Sequence, residues 1–375
     1  MARRARDTAA TITDKFYNYA VSNTEDVLGR GQAQDMSGSS EQRQTLQTVN
    51  QEDTNTETKL RNIIFCAEQT VGNKNFKVHI LDLTIPAVRR YINTDLTESE
   101  KLLVSEKTMY KRATLSSICA SSIEKFKNAP LSYTGFRREF LRDQIEDVSS
   151  FDPAIHDDWD SLRYIVQHFL RIIESPDNPL KRTTRERTAA SLTTIPLLNT
   201  IFMQYTDVVA LKWIEVSNDD TDAIKSDGLA TANGDAQLGV LVVELAGGVN
   251  TCGAAKLESD TIKIYNTCAK VLNQMSSLCR KDMSARIFVV LYHNNVLFFE
   301  SLSLAFDQIY IRRRHLEIKC PTTVGELKEF CSSFQDLVSW RDEVVSQARR
   351  LKDLSSWDKS FSSEGDHIDI TDLQN

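Results

Sequence analysis

Glycine and proline are scarce in this sequence, 13 and 7 of 375 residues, and no internal repeat organises them. Collagen-like and elastin-like chains are therefore excluded. Hydrophobic residues make up 41% and charged residues 26%, enough apolar side chain to exclude a wholly disordered chain. The seven cysteines are odd in number and form no CxxC pair, which argues against a disulfide or zinc framework and for a reducing compartment. No apolar run reaches the roughly 18 residues that a membrane-spanning helix needs. Excess positive charge is missing too: 45 Lys and Arg against 52 Asp and Glu leave a net charge of -7. Such a chain is no generic cationic wrapper of nucleic acid or anionic membrane, and any such site must be a local patch. A Gly-rich loop ending in Lys-Ser/Thr and an HRD-type catalytic loop are also absent, which sets phosphotransferases aside.

The opening MARRARDTAATITDKFYNYA is basic but lacks the apolar run of a secretory signal. Asp7 and Asp14 stand where a mitochondrial transit peptide avoids acids. The expectation is an intracellular protein, nuclear or cytoplasmic, with no membrane partner.

The length suggests two domains or one large one. Residues 1–58 read as an amino-terminal segment and disordered linker, because 31–58 contain no aromatic residue and few large aliphatic ones. Residues 59–178 read as mostly helical. They open with NIIFCAEQ and KVHILDLTI, either a hairpin or a strand and a helix, divided by VGNKN. Helical spacing follows from Glu98 to Asn128 and from Asp158 to Ile173, and Pro176 and Pro179 then mark a boundary. Residues 179–352 read as an α/β domain with a carboxy-terminal helix, and 353–375 as an acidic disordered tail.

Within the α/β region the order is helix, three strands, helix, two strands. A helical segment from Ala189 to Tyr205 carries Pro196, which predicts a bend or a late start. DVVALKWIEV alternates like a strand, AIKSDGLAT is a second strand, and ANGD is a hairpin-like break. AQLGVLVVELAGG is apolar on both faces, as a central strand is. A long helix from about Ala254 to Cys279 comes next, and ARIFVVLYHNNVLFFESLSL forms two strands around His293, Asn294 and Asn295.

Two acids stand out. Asp227 lies in the second strand, and Glu244 interrupts the aliphatic run of the third. Paired as a hairpin, these strands bring both carboxylates to one rim, and a buried acid needs a partner or a metal. Two carboxylates and a carbonyl suit Mg²⁺, which takes hard oxygen ligands and keeps several waters.

The residues Ser226-Asp227-Gly228 and Val242-Val243-Glu244-Leu245-Ala246, within that element order, resemble the PD-(D/E)XK nuclease-like superfamily. Together with Glu186-Arg187-Thr188, Trp213-Ile214-Glu215 and Gly247-Gly248, they also look like uncharacterised proteins that early-diverging fungi encode in many copies. The resemblance covers roughly a third of the chain. It implies Mg²⁺-dependent phosphodiester hydrolysis on nucleic acid, with Asp227 and Glu244 as metal ligands, the Leu245 carbonyl completing the site and Glu186 as a helix acid. Where the superfamily places its lysine this chain has Ala246. Lys225 becomes the expected substitute, two residues before Asp227 and so on the same strand face, with Lys256 and Lys263 on the following helix as alternatives. The competing expectation is a catalytically inactive protein-interaction module of the same fold.

Each feature also has a plainer reading. Asp227 before Gly228 is ordinary turn chemistry, and Glu244 can be a structural acid paired with Lys225 or an arginine. Gly247 and Gly248 read as a flexible strand exit. Lys181 to Arg187 and Arg312 to Arg314 read as solvated faces or as a phosphate-contacting rim. His293 is a turn residue with no nucleophile motif beside it. The stripe of Leu327, Phe330, Phe334, Leu337, Val338, Trp340, Val344 and Val345 is ordinary packing or, alternatively, a groove for a protein partner. Ile368-Asp369-Ile370 in the tail is a plain solvated segment or a strand for a partner's sheet edge.

Overall fold

The run NIIFCAEQ is helical. Its buried residues Ile63, Ile64 and Ala67, with Leu60 just before the run, recur at three and four, whereas a strand would alternate them. In this computed structural model, which describes residues 55–69, 76–144, 151–216, 225–233, 238–251, 253–278, 285–306 and 308–363, that helix (α1) covers 55–69. It starts inside the expected linker, whose earlier residues lie outside the described ones. The second apolar run is the strand β1 (His79–Asp82), so the strand-and-helix alternative holds, with the helix first.

Among the described residues the helices that follow are α2 (Pro86–Asp95), α3 (Glu98–Thr108), α4 (Ser117–Asn128), α5 (Tyr133–Arg142) and α6 (Pro153–Glu174). The α3 start is a capping box in which Thr97 and Glu100 satisfy each other's backbone amides. The expected helix from Ala189 to Tyr205 is divided at Thr193 into α7 (Glu186–Leu192) and α8 (Thr194–Phe202), so Pro196 falls in the first turn of α8, where it is tolerated.

The strands β2 (Val209–Val216), β3 (Ser226–Ala232), β4 (Gly239–Leu245), β5 (Arg286–His293), β6 (Val296–Phe306) and β7 (Ile309–Lys319) join β1 in one mixed sheet, ordered β1-β7-β6-β5-β4-β3-β2. Helix α9 (Ala254–Leu278) connects β4 to its parallel neighbour β5. β3 pairs antiparallel with β2 and β4. Asn294 and Asn295, both at positive φ, turn β5 tightly into β6, and asparagine tolerates that conformation.

Helices α10 (Val324–Ser332) and α11 (Phe334–Ser363) end the described chain. Helical backbone thus runs past the expected tail boundary at 353, with neither proline nor glycine before Gly365 to stop it. Successive residues of a strand face opposite ways: Phe299 of β6 packs on Trp340 of α11, while Glu300 meets Tyr265 of α9. The sheet is therefore sandwiched, α9 on one face and α11 on the other. That is why all of β4 is buried and reads as unbroken aliphatic sequence.

The carboxy-terminal stripe lies inside this packing. Leu327, Phe330, Phe334, Leu337, Val338, Trp340, Val344 and Val345 are all buried. Trp340 alone meets Phe202, Phe288 and Phe299 edge-on. These side chains pack within the chain itself, Phe330 on Phe169 of α6 and Trp340 on the sheet. One buried cluster joins Phe126, Phe136 and Phe169 of the earlier helices to Val242, Phe288 and Trp340, and a smaller one joins α1 and α2 to Ile309 and Ile311 of β7. Among the described residues, no helix is long and apolar enough to cross a membrane, and Cys119, Cys268, Cys320 and Cys331 are buried thiols.

Candidate functional site

Asp227 and Glu244 meet at one end of the hairpin. Gly228 pairs with Val243 and Leu229 with Val242, and continuing this register sets Asp227 across from Glu244, their side chains on the same face. This is the carboxyl end of β4, the side on which open α/β sheets place their ligands. Asp227 is held there by an internal contact: its Oδ2 accepts the Leu245 N–H at 2.8 Å.

Two further elements close on the pair. After Leu245 the chain leaves the sheet through Gly247, at φ 91°, a left-handed conformation that glycine adopts without penalty. Gly247 donates its N–H to Glu186 Oε2 at 3.0 Å, and Lys256 Nζ stands 2.5 Å from the same oxygen. Helix α9 presents Lys256, Asp260 and Lys263 at i, i+4 and i+7, one stripe along its surface. Lys263 Nζ reaches Glu244 Oε1 at 3.0 Å, and Lys256 lies 3.9 Å from Asp260.

Among the described residues the cluster brings four carboxylates, Glu186, Asp227, Glu244 and Asp260, to the ammonium groups of Lys256 and Lys263. Burial pushes the Glu244 carboxyl up to about 7; the Asp227 and Asp260 charges add to this, and Lys263 opposes it. Burial also raises Asp227, with repulsion from Glu186, while the Leu245 N–H, Lys263 and Lys256 act the other way. Asp260 is raised by burial and by Glu186 against the same two lysines. An excess of carboxylates in a half-buried rim is what a divalent cation relieves.

The donor chemistry fits such an ion in part. Among the described residues no three acid, imidazole or thiol side chains stand close enough to enclose a metal by themselves. A cation here would take Asp227, Glu244 and the Leu245 carbonyl and retain waters, as Mg²⁺ does.

The structure thus brings together Asp227, Glu244 and Glu186, and the lysines that meet these acids are Lys263 and Lys256, the helix alternatives to Lys225. Lys225 is exposed just before β3, and Lys263 and Lys256 are among the cations that act on Asp227. Asp260 escapes sequence reasoning, although its spacing from Lys256 and Lys263 on the helix after the acid-bearing strand is a usable signal.

Arg312 to Arg314 belong to another place. Arg312 is buried on the α9 face of the sheet, donating to Glu300 Oε2 at 2.7 Å and to Asp82 Oδ2 at 3.1 Å, its guanidinium 4.4 Å from the Tyr265 ring centre. Arg314 bonds Glu300 Oε1 at 2.7 Å, and Arg313 bonds Thr108. Arg312 and Arg314 satisfy the buried Glu300, and Arg313 the buried Thr108 hydroxyl. The exit glycines are likewise pinned: a Cβ at Gly248 would lie 1.9 Å from the Thr184 carbonyl oxygen, and Thr184 N–H donates to the Val249 carbonyl while its Oγ1 accepts the Val249 N–H. His293 makes only a long contact to the Ala246 carbonyl, at 3.4 Å.

Comparison with protein-family models, with curated proteins and with solved structures finds no match to this chain.

Proposed function

We propose that this chain is a divergent PD-(D/E)XK-like protein that hydrolyses phosphodiester bonds in nucleic acid with Mg²⁺. The observation that carries the reading is Asp227 and Glu244 facing each other across the β3–β4 register with the Lys263 ammonium on Glu244. Support comes also from the order helix, three strands, helix, three strands around them, one strand more than the sequence order counted. Asp227, Glu244 and the Leu245 carbonyl would hold the metal. When bound, Mg²⁺ polarises a phosphoryl oxygen and lowers the pKa of a coordinated water. Lys263 takes the part that Ala246 cannot, placing a positive charge beside the reacting phosphate where negative charge develops. Glu186 fixes the approach by holding the Gly247 amide and Lys256 together.

The test is calorimetric titration of Mg²⁺ and Mn²⁺ into the wild type and into Asp227→Ala and Glu244→Ala, beside cleavage assays on single- and double-stranded DNA and RNA. The expected result is metal binding and cleavage in the wild type and loss of both in each variant. A wild type that binds no divalent cation sinks the catalytic reading.

The second reading is an inactive interaction module of the same fold. Ala246 favours it, as do large apolar side chains left exposed on the α5–α6 side, Leu131, Tyr133, Leu141, Ile155 and Tyr164 among them.

A further inference from the structure

Residues 181–187, KRTTRER, carry four cations in seven positions of a chain whose net charge is -7. Their location is fixed by the site itself. Thr184 donates its N–H to the Val249 carbonyl and accepts the Val249 N–H on its Oγ1, each at 3.2 Å. Its carbonyl occupies the space a side chain at Gly248 would need. Two residues on, Glu186 turns inward to the Gly247 amide. Arg185 lies between these two anchors and is exposed, as are Arg187 and Lys181. The one acid inside the stretch is engaged inward by Gly247 and Lys256, and Arg182 is paired with Asp177. What faces solvent is a short ridge of positive charge, bound through a single loop to the strand end that bears Asp227 and Glu244.

We propose that this ridge is the surface that grips the sugar-phosphate backbone of a nucleic acid, with Lys181, Arg185 and Arg187 contacting successive phosphates and leading the strand across the mouth lined by Asp227 and Glu244. The proposal rests on the hydrolytic reading only for the nature of the polyanion. The geometry suits an extended backbone: the cations are presented from a tethered segment, which positions phosphates without reading base edges.

The experiment is fluorescence anisotropy of labelled single- and double-stranded DNA and RNA against the full-length protein in EDTA, so that no metal-dependent cleavage intervenes. Wild type is compared with Lys181→Gln/Arg185→Gln/Arg187→Gln. A variant of equal charge change elsewhere, Arg90→Gln/Lys111→Gln/Arg138→Gln, serves as control, and thermal midpoints verify folding. The ridge variant is expected to bind on the order of tenfold or more weakly, with its slope of log affinity against log salt reduced by about 0.9 for each duplex phosphate contact removed. The control is expected to bind as the wild type does. Equal binding and equal slope in the ridge variant overturn the proposal, as does a wild type that binds none of the four oligonucleotides or binds anionic vesicles instead. Loss of binding in the ridge variant alongside a wild type that takes no metal would leave the ridge standing and the hydrolytic reading fallen. Unchanged binding with intact cleavage would do the reverse.

Discussion

Lys263 Nζ stands 3.0 Å from Glu244 Oε1, joining a lysine with 43% of its side chain exposed to an acid with 7% exposed. The acid belongs to a central strand and the lysine to the helix that crosses over it, so the pair ties sheet to helix at the rim. Lys263 is the candidate for the charge that Ala246 withholds. Lys263→Ala is expected to lower cleavage about 10²–10³-fold while calorimetry still detects metal binding, and Lys225→Ala is expected to cleave like the wild type. Equal losses in the two variants would remove Lys263 from its assigned part.

The same acid predicts a pH dependence of stability. Its carboxyl titrates near 7 when folded against a usual 4.5, so the folded chain holds a proton that the unfolded chain gives up. Its contribution to stability is full below about pH 4.5 and is lost as pH rises through about 7. Glu244→Gln keeps a neutral group there and is expected to be more stable than wild type at pH 8, by an order of 2 kcal/mol at most. The gain should vanish near pH 4.5. Urea unfolding at both pH values measures it, and Mg²⁺ is expected to stabilise wild type but not the variant at pH 8.

Glu300 behaves in the opposite sense. Burial works against its charge, but Arg312 and Arg314 with the Tyr265 hydroxyl hold its carboxyl below the usual range. Its contribution is therefore present above the ordinary carboxylate pKa and is lost as pH falls below it. Glu300→Ala leaves Arg312 buried without this partner and is expected to cost about 3–5 kcal/mol. Because the network is structural, the loss is read in unfolding. A variant that folds normally but loses oligonucleotide binding would return these arginines to the binding surface.

Gly248 has no room for a side chain, since an added Cβ meets backbone atoms of Thr184 and Arg185. Gly248→Ala is expected to cost about 1–3 kcal/mol and to weaken oligonucleotide binding by shifting the 181–187 ridge. Unchanged denaturation and unchanged binding would show that the loop yields cheaply.

Much of the fold is legible because it follows from periodicity. β4 reads as central since it is apolar on both faces, and Glu244 is conspicuous only against that background. The order from α8 to β6 follows from the alternation of spacing two and spacing near four. What escapes sequence reasoning depends on partners in space. A short apolar run such as residues 62–69 suits either a strand or a buried helix, and in the fold it is helical, packed in one cluster with Ile309 and Ile311 of β7. The arginines of β7 look like a solvated charge run because Glu300 and Asp82, which neutralise Arg312, lie in other strands. Lys225 satisfies strand periodicity beside Asp227, and Lys263, legible only as an alternative, is delivered to Glu244 by a helix crossing the sheet. Asp260, in turn, resembles any acid on an exposed helix face until the fold lays that face over the acids.

Two amides of the strand exit donate to the very carboxylates in question, Leu245 N–H to Asp227 and Gly247 N–H to Glu186. They act as intrinsic spectroscopic probes. A backbone amide bonded to a carboxylate changes its nitrogen and proton resonance frequencies when that carboxylate gains a proton or a cation. Two peaks of a nitrogen-proton correlation spectrum therefore register the charge state of this rim separately, without any label placed in the site or any turnover to follow.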